Sequence, residues 1–322
     1  MNDLLRMTGL HVEDPMGGGR RVHAVSDVTL AIRHGETLGL VGESGSGKSS
    51  LARALLQLPP PQRGSVLFDG RELTRMRGEA LREIRPRLQM IFQDPIASLN
   101  PRRRVADIVA EPLVVTGVAD RATRTRRVRA VMEAVGLDPE SVWNRRPHEF
   151  SGGQCQRIAI ARALVLEPKL IVCDEPVSAL DVSIRAQILN LLEDMKARFG
   201  LTLLFIAHDL AVVKSVSDRV AVMYLGKLCE VADSAALFAT PAHPYTAALM
   251  AAIPEPDPDR PLGDTMLKPG DPPSPLDPPS GCRFRTRCPR AQARCAAEVP
   301  PLRQIAPGRE VACHFPLVGA DA

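Results

Sequence analysis

Aromatic side chains are scarce in this chain: 3% of 322 residues, with eight Phe, two Tyr and one Trp. None precedes Phe68, so no Phe, Tyr or Trp from the first stretch of the chain can stack on a ligand. Long apolar runs are also missing. No segment approaches the roughly 18 residues needed to span a bilayer, and Met1-Asn2-Asp3 lacks a signal-peptide layout, so a chain working from the cytosol is expected. Net charge is only +4, which gives no support to a nucleic-acid partner; the basic stretches at Arg102–Arg104 and 121–129 read as solvated helix faces. Seven cysteines occur without a Cys-x-x-Cys pair. In a reducing compartment they predict no disulfides, and any cluster among them suggests metal. The remaining composition, 45% hydrophobic and 24% charged, is that of a soluble α/β protein long enough for a large core.

What is present is organised around Gly42, Glu43, Ser44, Gly45, Ser46, Gly47, Lys48 and Ser49. Two glycines five apart, followed by Lys and Ser, fit a phosphate loop. Glycines allow successive N–H groups to converge on a polyphosphate, and the next helix points its positive end at the same anion. Lys48 can reach the outer phosphates, and the Ser49 hydroxyl, next to Ser50, can ligate Mg²⁺. The flanks agree: Thr37–Val41 reads as a buried strand, and Leu51, Ala52, Ala54, Leu55 and Leu56 form a helical apolar face.

Residues 1–41 alternate weakly between turn signals and predict a region of short strands. Further strands are predicted at Ser65–Phe68, Gln89–Phe92, Leu170–Cys173, Leu201–Ala207 and Val220–Leu225. Between Asp94 and about Leu166 the pattern is helical, as in a helical insertion within an α/β core. Asp181 is placed to N-cap a helix running to Gly200. Ten prolines between Pro254 and Pro279 predict a stiff, extended connector, and the domain boundary is expected near residue 240.

Four further features carry chemistry. Asp174-Glu175 ends an apolar strand, where ligands of open α/β sheets bind; one acid can hold Mg²⁺ while the other orients or deprotonates a water. Gln93, also at a strand end, can ligate the metal or position water. His208 ends a third strand and can hydrogen-bond a γ-phosphate. Ser151-Gly152-Gly153-Gln154 opens a second glycine-containing helix start that an anion can approach. One chain with two such helix ends suggests that the second serves the nucleotide of another subunit. Taken in isolation, each feature also has a structural reading, as turn acids, a turn amide, a packed imidazole and a helix cap.

Together, in this order and with Ser178-Ala179-Leu180-Asp181, these residues resemble the motif set of ATP-binding cassette (ABC) transporter ATPases over roughly residues 4–238. The resemblance implies an α/β phosphate-loop NTPase core with a β subdomain and an inserted helical subdomain (about 94–166) inside a nucleotide-binding domain of residues 1–240. It implies ATP and Mg²⁺ as ligands, held by Gly42–Ser50, Asp174 and Gln93. Glu175 is then the base, His208 the switch, and Ser151–Gln154 with Asp181 face a partner ATPase in a head-to-tail dimer. Met90–Pro95, Ser98–Pro101, His243–Thr246 and Pro278-Pro279-Ser280-Gly281-Cys282 are similar to importers of oligopeptides, dipeptides or nickel. The F-type ATPase of a paired set fits best. That implies two membrane permease subunits and an extracytoplasmic solute-binding protein, with this chain peripheral on the cytoplasmic face and no nucleic acid bound. The other readings are an importer for nickel or another small solute, and a soluble ABC ATPase of DNA repair or translation. The family's usual adenine-stacking aromatic before the phosphate loop is missing; His11, His23, Arg20 and Arg21 are the local substitutes. Phe150 stands where Leu is usual, a change of packing. Cys282, Cys288, Cys295 and Cys313, separated by five, six and seventeen residues, do not match zinc knuckles. Spacing alone leaves zinc, an iron–sulfur cluster or free thiols open; the resemblance implies [4Fe–4S] in a C-terminal extension over residues 241–322.

Overall fold

A computed structural model describes residues 3–253 and 271–318. In chain order the elements are β1 (Asp3–Met16), β2 (Arg20–Arg33), β3 (Thr37–Val41), α1 (Lys48–Leu55), β4 (Arg63–Phe68), β5 (Arg71–Glu72), α2 (Gly78–Ile84), β6 (Leu88–Ile91), α3 (Pro95–Ser98), α4 (Val105–Val115), α5 (Arg121–Ala134), α6 (Pro139–Val142), α7 (Gly152–Leu164), β7 (Leu170–Asp174), α8 (Val182–Phe199), β8 (Thr202–Ala207), α9 (Leu210–Val216), β9 (Arg219–Tyr224), β10 (Lys227–Asp233), α10 (Ser234–Ala239), α11 (Pro244–Ala251), α12 (Ala293–Ala297), β11 (Arg303–Ala306) and β12 (Arg309–Val311). They form two compact units.

Among the described residues, the loop unit comprises Asp3–Ile32, Thr37–Thr74, 207–253 and 271–318. It holds a four-stranded sheet in the order β2-β1-β4-β5, and a second run of strands in the order β11-β12-β10-β9-β3. β3 and β9 pair in parallel and are buried along their whole length, as their near-continuous apolar sequences require. The expectation of short strands at the N-terminus fails: β1 and β2 are 14 residues each. Gly9, at φ 57°, lies in a bulge between Thr8 and His11, across which β1 continues its pairing with β4. The β9–β10 hairpin was not foreseen either. Its turn is Leu225-Gly226, both at positive φ, a two-residue connection whose twist matches the strands.

The helical unit comprises Arg33–Glu36 and Arg75–Ile206. Here β8, β7 and β6 run in parallel, with Leu170–Cys173 buried on both faces as the apolar run predicts. The segment from α3 to α7 is helical, as expected, and α8 ends on Gly200 in the left-handed conformation.

Beyond residue 240 the chain is more ordered than its prolines suggest. Pro244 occupies the first turn of α11, where its missing N–H costs nothing, and Tyr245 beside it is fully buried. Of the predicted connector, residues 254–270 lie outside the described residues, and 271–279 form neither helix nor strand. β11 and β12 form a hairpin, and β12 pairs with β10. Buried Glu230 on β10 accepts N–H groups of Ala242 and His243 at 2.8–3.1 Å and Arg309 Nη2 at 3.0 Å. That network fixes the extension to the loop unit's strands.

Candidate functional site

In the loop unit, the buried strand β3 delivers the chain into Gly42, and α1 begins at Lys48. The glycines are required by the protein's own backbone. A Cβ at Gly42 would lie 2.0 Å from the Met223 carbonyl oxygen, and one at Gly47 2.0 Å from that of Ala24. Gly47 is the N-cap of α1 at φ 101°, and no side chain caps this helix. Its positive end is therefore presented by backbone alone. Lys48 is 5% exposed, and its ammonium donates to Gly42 O at 2.7 Å, Glu43 O at 3.0 Å and Ser46 Oγ at 3.4 Å. A buried cation wrapped by its own loop, beside an uncapped helix start, is a fitting cradle for a polyphosphate. Ser49 and Ser50 occupy the first turn of α1, and the Ser50 hydroxyl donates to Asp14 at 3.4 Å. Ser44 and Gly45 are exposed at the tip of the loop.

The residues considered for the adenine side lie on the β1–β2 hairpin of the same unit. His23 faces Glu13 at 3.4 Å and Arg21 reaches the same carboxylate at 3.3 Å, while Arg20 is exposed. His208 follows β8, is exposed, and precedes Asp209, whose carboxylate caps α9.

In the helical unit, Asp174 is the last residue of β7 and is 3% exposed. Glu175 leaves the strand at φ 48°, a conformation uncommon for Glu, with its N–H on Ile206 O at 3.0 Å. Gln93 Nε2 donates to Glu175 Oε2 at 3.0 Å. Two residues 82 positions apart are thus brought together, and the amide orients the carboxylate. Cys173, just before them, is a packed thiol whose pKa burial pushes up to about 12, with Asp174 adding to the shift.

Ser151–Gln154 forms a capping box. Ser151 Oγ accepts the Gln154 N–H at 3.3 Å, and Gln154 Oε1 accepts the Ser151 N–H at 3.0 Å. A Cβ on Gly153 would meet Ile184 Cγ2 of α8 at 2.5 Å, so this glycine allows two helices to approach. Arg145 stacks on the Phe150 ring at 4.3 Å. Asp181 precedes α8, but its side chain makes no capping hydrogen bond, contrary to the expected role, and is exposed.

The four C-terminal cysteines gather in one region. Burial, and secondarily the neighbouring thiols Cys282, Cys288 and Cys295, pushes Cys313 up to about 12. Among the described residues, however, no group of three or more His, Cys, Asp or Glu is placed to hold a metal ion. The thiols in this geometry do not fit the ligand set expected for [4Fe–4S]. Cys229 joins the same surroundings and is held protonated chiefly by burial. Among the described residues no helix is long and apolar enough to cross a membrane.

Three residues take part here that sequence reasoning did not assign to the site, although Tyr245 lies in the importer-like stretch His243–Thr246. Tyr245 Oη accepts the Glu43 N–H at 2.9 Å, Arg287 Nη1 donates to both Glu43 carboxylate oxygens, and Arg283 reaches Ser26 Oγ at 2.8 Å. They lie more than 200 residues from their partners, beyond any local pattern.

A phosphate loop on a parallel strand, with a second unit carrying strand-end acids and a glycine helix start, defines a nucleoside triphosphatase of the cassette type. Residues 25–178 match the ABC transporter family, and residues 229–295 match the C-terminal region of oligopeptide/dipeptide transporters. The chain is 55% identical over 285 residues to the oligopeptide transport ATP-binding protein OppF of Escherichia coli, covering 88% of this chain and 85% of that one. The namesake from Salmonella typhimurium matches at the same identity and coverage. Among solved structures, the dimeric post-hydrolysis state of the ATP-binding cassette MJ0796 bound to ADP and Pi superposes with a TM-score of 0.65 at 28% identity, covering 71% of this chain and 98% of that one. The chain belongs to the ABC transporter ATPase family, in its oligopeptide/dipeptide transporter branch, and is an ATPase of that family.

Proposed function

We propose that this chain is the F-type ATPase subunit of a peptide importer, hydrolysing ATP to energise uptake of dipeptides or oligopeptides. The observation that carries the reading is the buried Lys48 ammonium inside its uncapped glycine loop. Peptide as cargo rests on the likeness to oligopeptide transport ATP-binding proteins across the cassette and the extension. The N–H groups from Gly42 to Ser50 and the Lys48 ammonium hold the phosphates. Ser49, Asp174 and Gln93 are the residues for Mg²⁺, which when bound neutralises charge developing on the phosphate oxygens. Glu175, aligned by Gln93, takes the proton of a water as its oxygen bonds to the γ-phosphorus and the bond to the ADP oxygen breaks. His208 donates to the γ-phosphate.

Ser151–Gln154 and Asp181 serve the nucleotide bound by a second ATPase subunit, so the pair closes head-to-tail on ATP. The chain works at the cytoplasmic face of the membrane with two permease subunits and an extracytoplasmic solute-binding protein. Residues 1–240 are its engine and 241–322 its extension.

The roles are tested in the assembled complex. Glu175→Gln is expected to keep ATP binding while the hydrolysis rate falls on the order of 10²–10⁴-fold. Lys48→Ala is expected to lose ATP binding. Full ATPase activity in either variant would overturn the assignment.

A further inference from the structure

The phosphate loop carries an acid at its second position, Glu43, next to where a strongly anionic ligand must bind. A carboxylate there repels a triphosphate unless something neutralises it. Its partner comes from the C-terminal extension. Arg287 Nη1 donates to Oε1 at 3.0 Å and to Oε2 at 2.9 Å, with the arginine side chain only 11% exposed. The same loop residue is held a second time, its N–H donating to Tyr245 Oη at 2.9 Å. Tyr245 in turn packs against Tyr224 and Phe284, with ring centroids 4.7 and 5.3 Å away, and Tyr224 packs on Phe284 at 5.3 Å. Both tyrosines of the chain and one of its eight Phe are thus spent on this cluster. The extension grips the loop's surroundings twice more: Arg283 donates to Ser26 Oγ and to the Leu225 carbonyl, and the Pro275 carbonyl accepts the His23 N–H at 3.0 Å.

From this geometry we propose that Arg287 is a positioning residue of the ATP site, neutralising and holding Glu43 so that the phosphate loop accepts a triphosphate, which places ATP affinity under the control of the C-terminal extension. The inference rests on the reading of Gly42–Ser49 as an ATP site and goes beyond it, because it gives the extension a direct part in nucleotide binding. Losing the guanidinium leaves one uncompensated negative charge close to the phosphates. The more highly charged nucleotide suffers more, so ATP is penalised more than ADP.

The experiment is a nucleotide titration of the purified full-length chain, with steady-state ATPase kinetics in the assembled complex. Arg287→Gln is expected to raise the Kd and KM for ATP roughly five- to tenfold, the effect of one charge in a partly solvated site, with kcat changed less than about twofold. The penalty shrinks as salt rises. Arg287→Lys is expected to stay near the wild type, because both carboxylate oxygens are met by a single nitrogen that an ammonium can replace. Adding Glu43→Gln to Arg287→Gln is expected to recover most of the lost affinity. A purely structural arginine gives a different result: lower melting temperature, kcat and KM altered together, and no recovery on neutralising Glu43. That pattern, or an Arg287→Gln variant that binds ATP as the wild type does, overturns the inference. So does Arg287→Lys losing as much as Arg287→Gln. Failure of the wild-type chain itself to bind ATP, with Lys48→Ala indistinguishable from it, would instead sink the ATP-site reading.

Discussion

The two glycine-containing helix starts look alike in sequence and are built in opposite ways. At Gly47 the glycines answer to backbone: carbonyls of Met223 and Ala24 leave no room for a Cβ, and no side chain caps α1. At Ser151 the helix caps itself with its own hydroxyl and amide, and Gly153 answers to a side chain, Ile184. The first start keeps its N-terminal amides for a ligand. The second satisfies part of its own need and presents a rigid, closed turn at the surface. On the reading proposed above, the first start leaves hydrogen-bonding capacity for a phosphate, whereas the second, serving a partner's site, can spend some on stiffness.

The units also differ in what holds them, and acid is the largest lever on that difference. His243 in the loop unit is 2% exposed, and its Nδ1 accepts the Tyr245 N–H at 3.0 Å. Burial depresses its pKa to about 3, from an ordinary value near 6.5. Between those two values the unfolded chain binds a proton that the native state refuses, so stability falls as pH drops from 6.5 toward 3. The slope is roughly 1.4 kcal/mol per pH unit through that window. His243→Asn keeps a capping acceptor without a titrating ring, and denaturant melts at pH 4.5 and 7 should differ less than in the wild type. Equal pH dependence in both proteins would remove His243 from the account.

The two glycines separate the two designs further. Gly47→Ala meets a backbone carbonyl at a positive φ, so a loss of several kcal/mol is expected that no neighbouring side-chain substitution restores. Gly153→Ala meets only Ile184, so a loss of about 1–3 kcal/mol is expected, largely restored by Ile184→Ala. Thermal melts of the four proteins check both, and rescue at neither position would erase the contrast. The smallest effect belongs to the cap itself. Ser151→Ala should cost about 1 kcal/mol of stability, and a loss of ATPase activity far beyond that would mean that the hydroxyl also meets the partner's nucleotide.

Much of the site was legible because its chemistry is local. Gly42–Ser49, Gln93, Asp174-Glu175 and His208 each follow an apolar run, which burial makes a strand, whereas Ser151–Gln154 was read from its hydroxyl and glycines before a helical pattern. Where two features competed locally, the reading failed. Turn signals before Thr37 suggested short strands where β1 and β2 run 14 residues each, and Asp181, though at the N-cap position of α8, makes no side-chain capping hydrogen bond. Proline counts concealed α11, since a proline in the first turn of a helix does not break it.

The amino-acid order by itself determined the glycine loop, the apolar strand before it and the set of motifs that resembles the family, because each motif and each apolar run is a short-range property of the chain. Only the tertiary structure decided which distant residues meet within each unit. The Gln93–Glu175 contact, the Glu230–Arg309 pair and the grip of Tyr245 and Arg287 on Glu43 join residues 79 to 244 positions apart. No periodicity encodes such partners. They are selected when the strands pair, when both tyrosines and Phe284 are driven into one cluster, and when buried charges must find opposite charges.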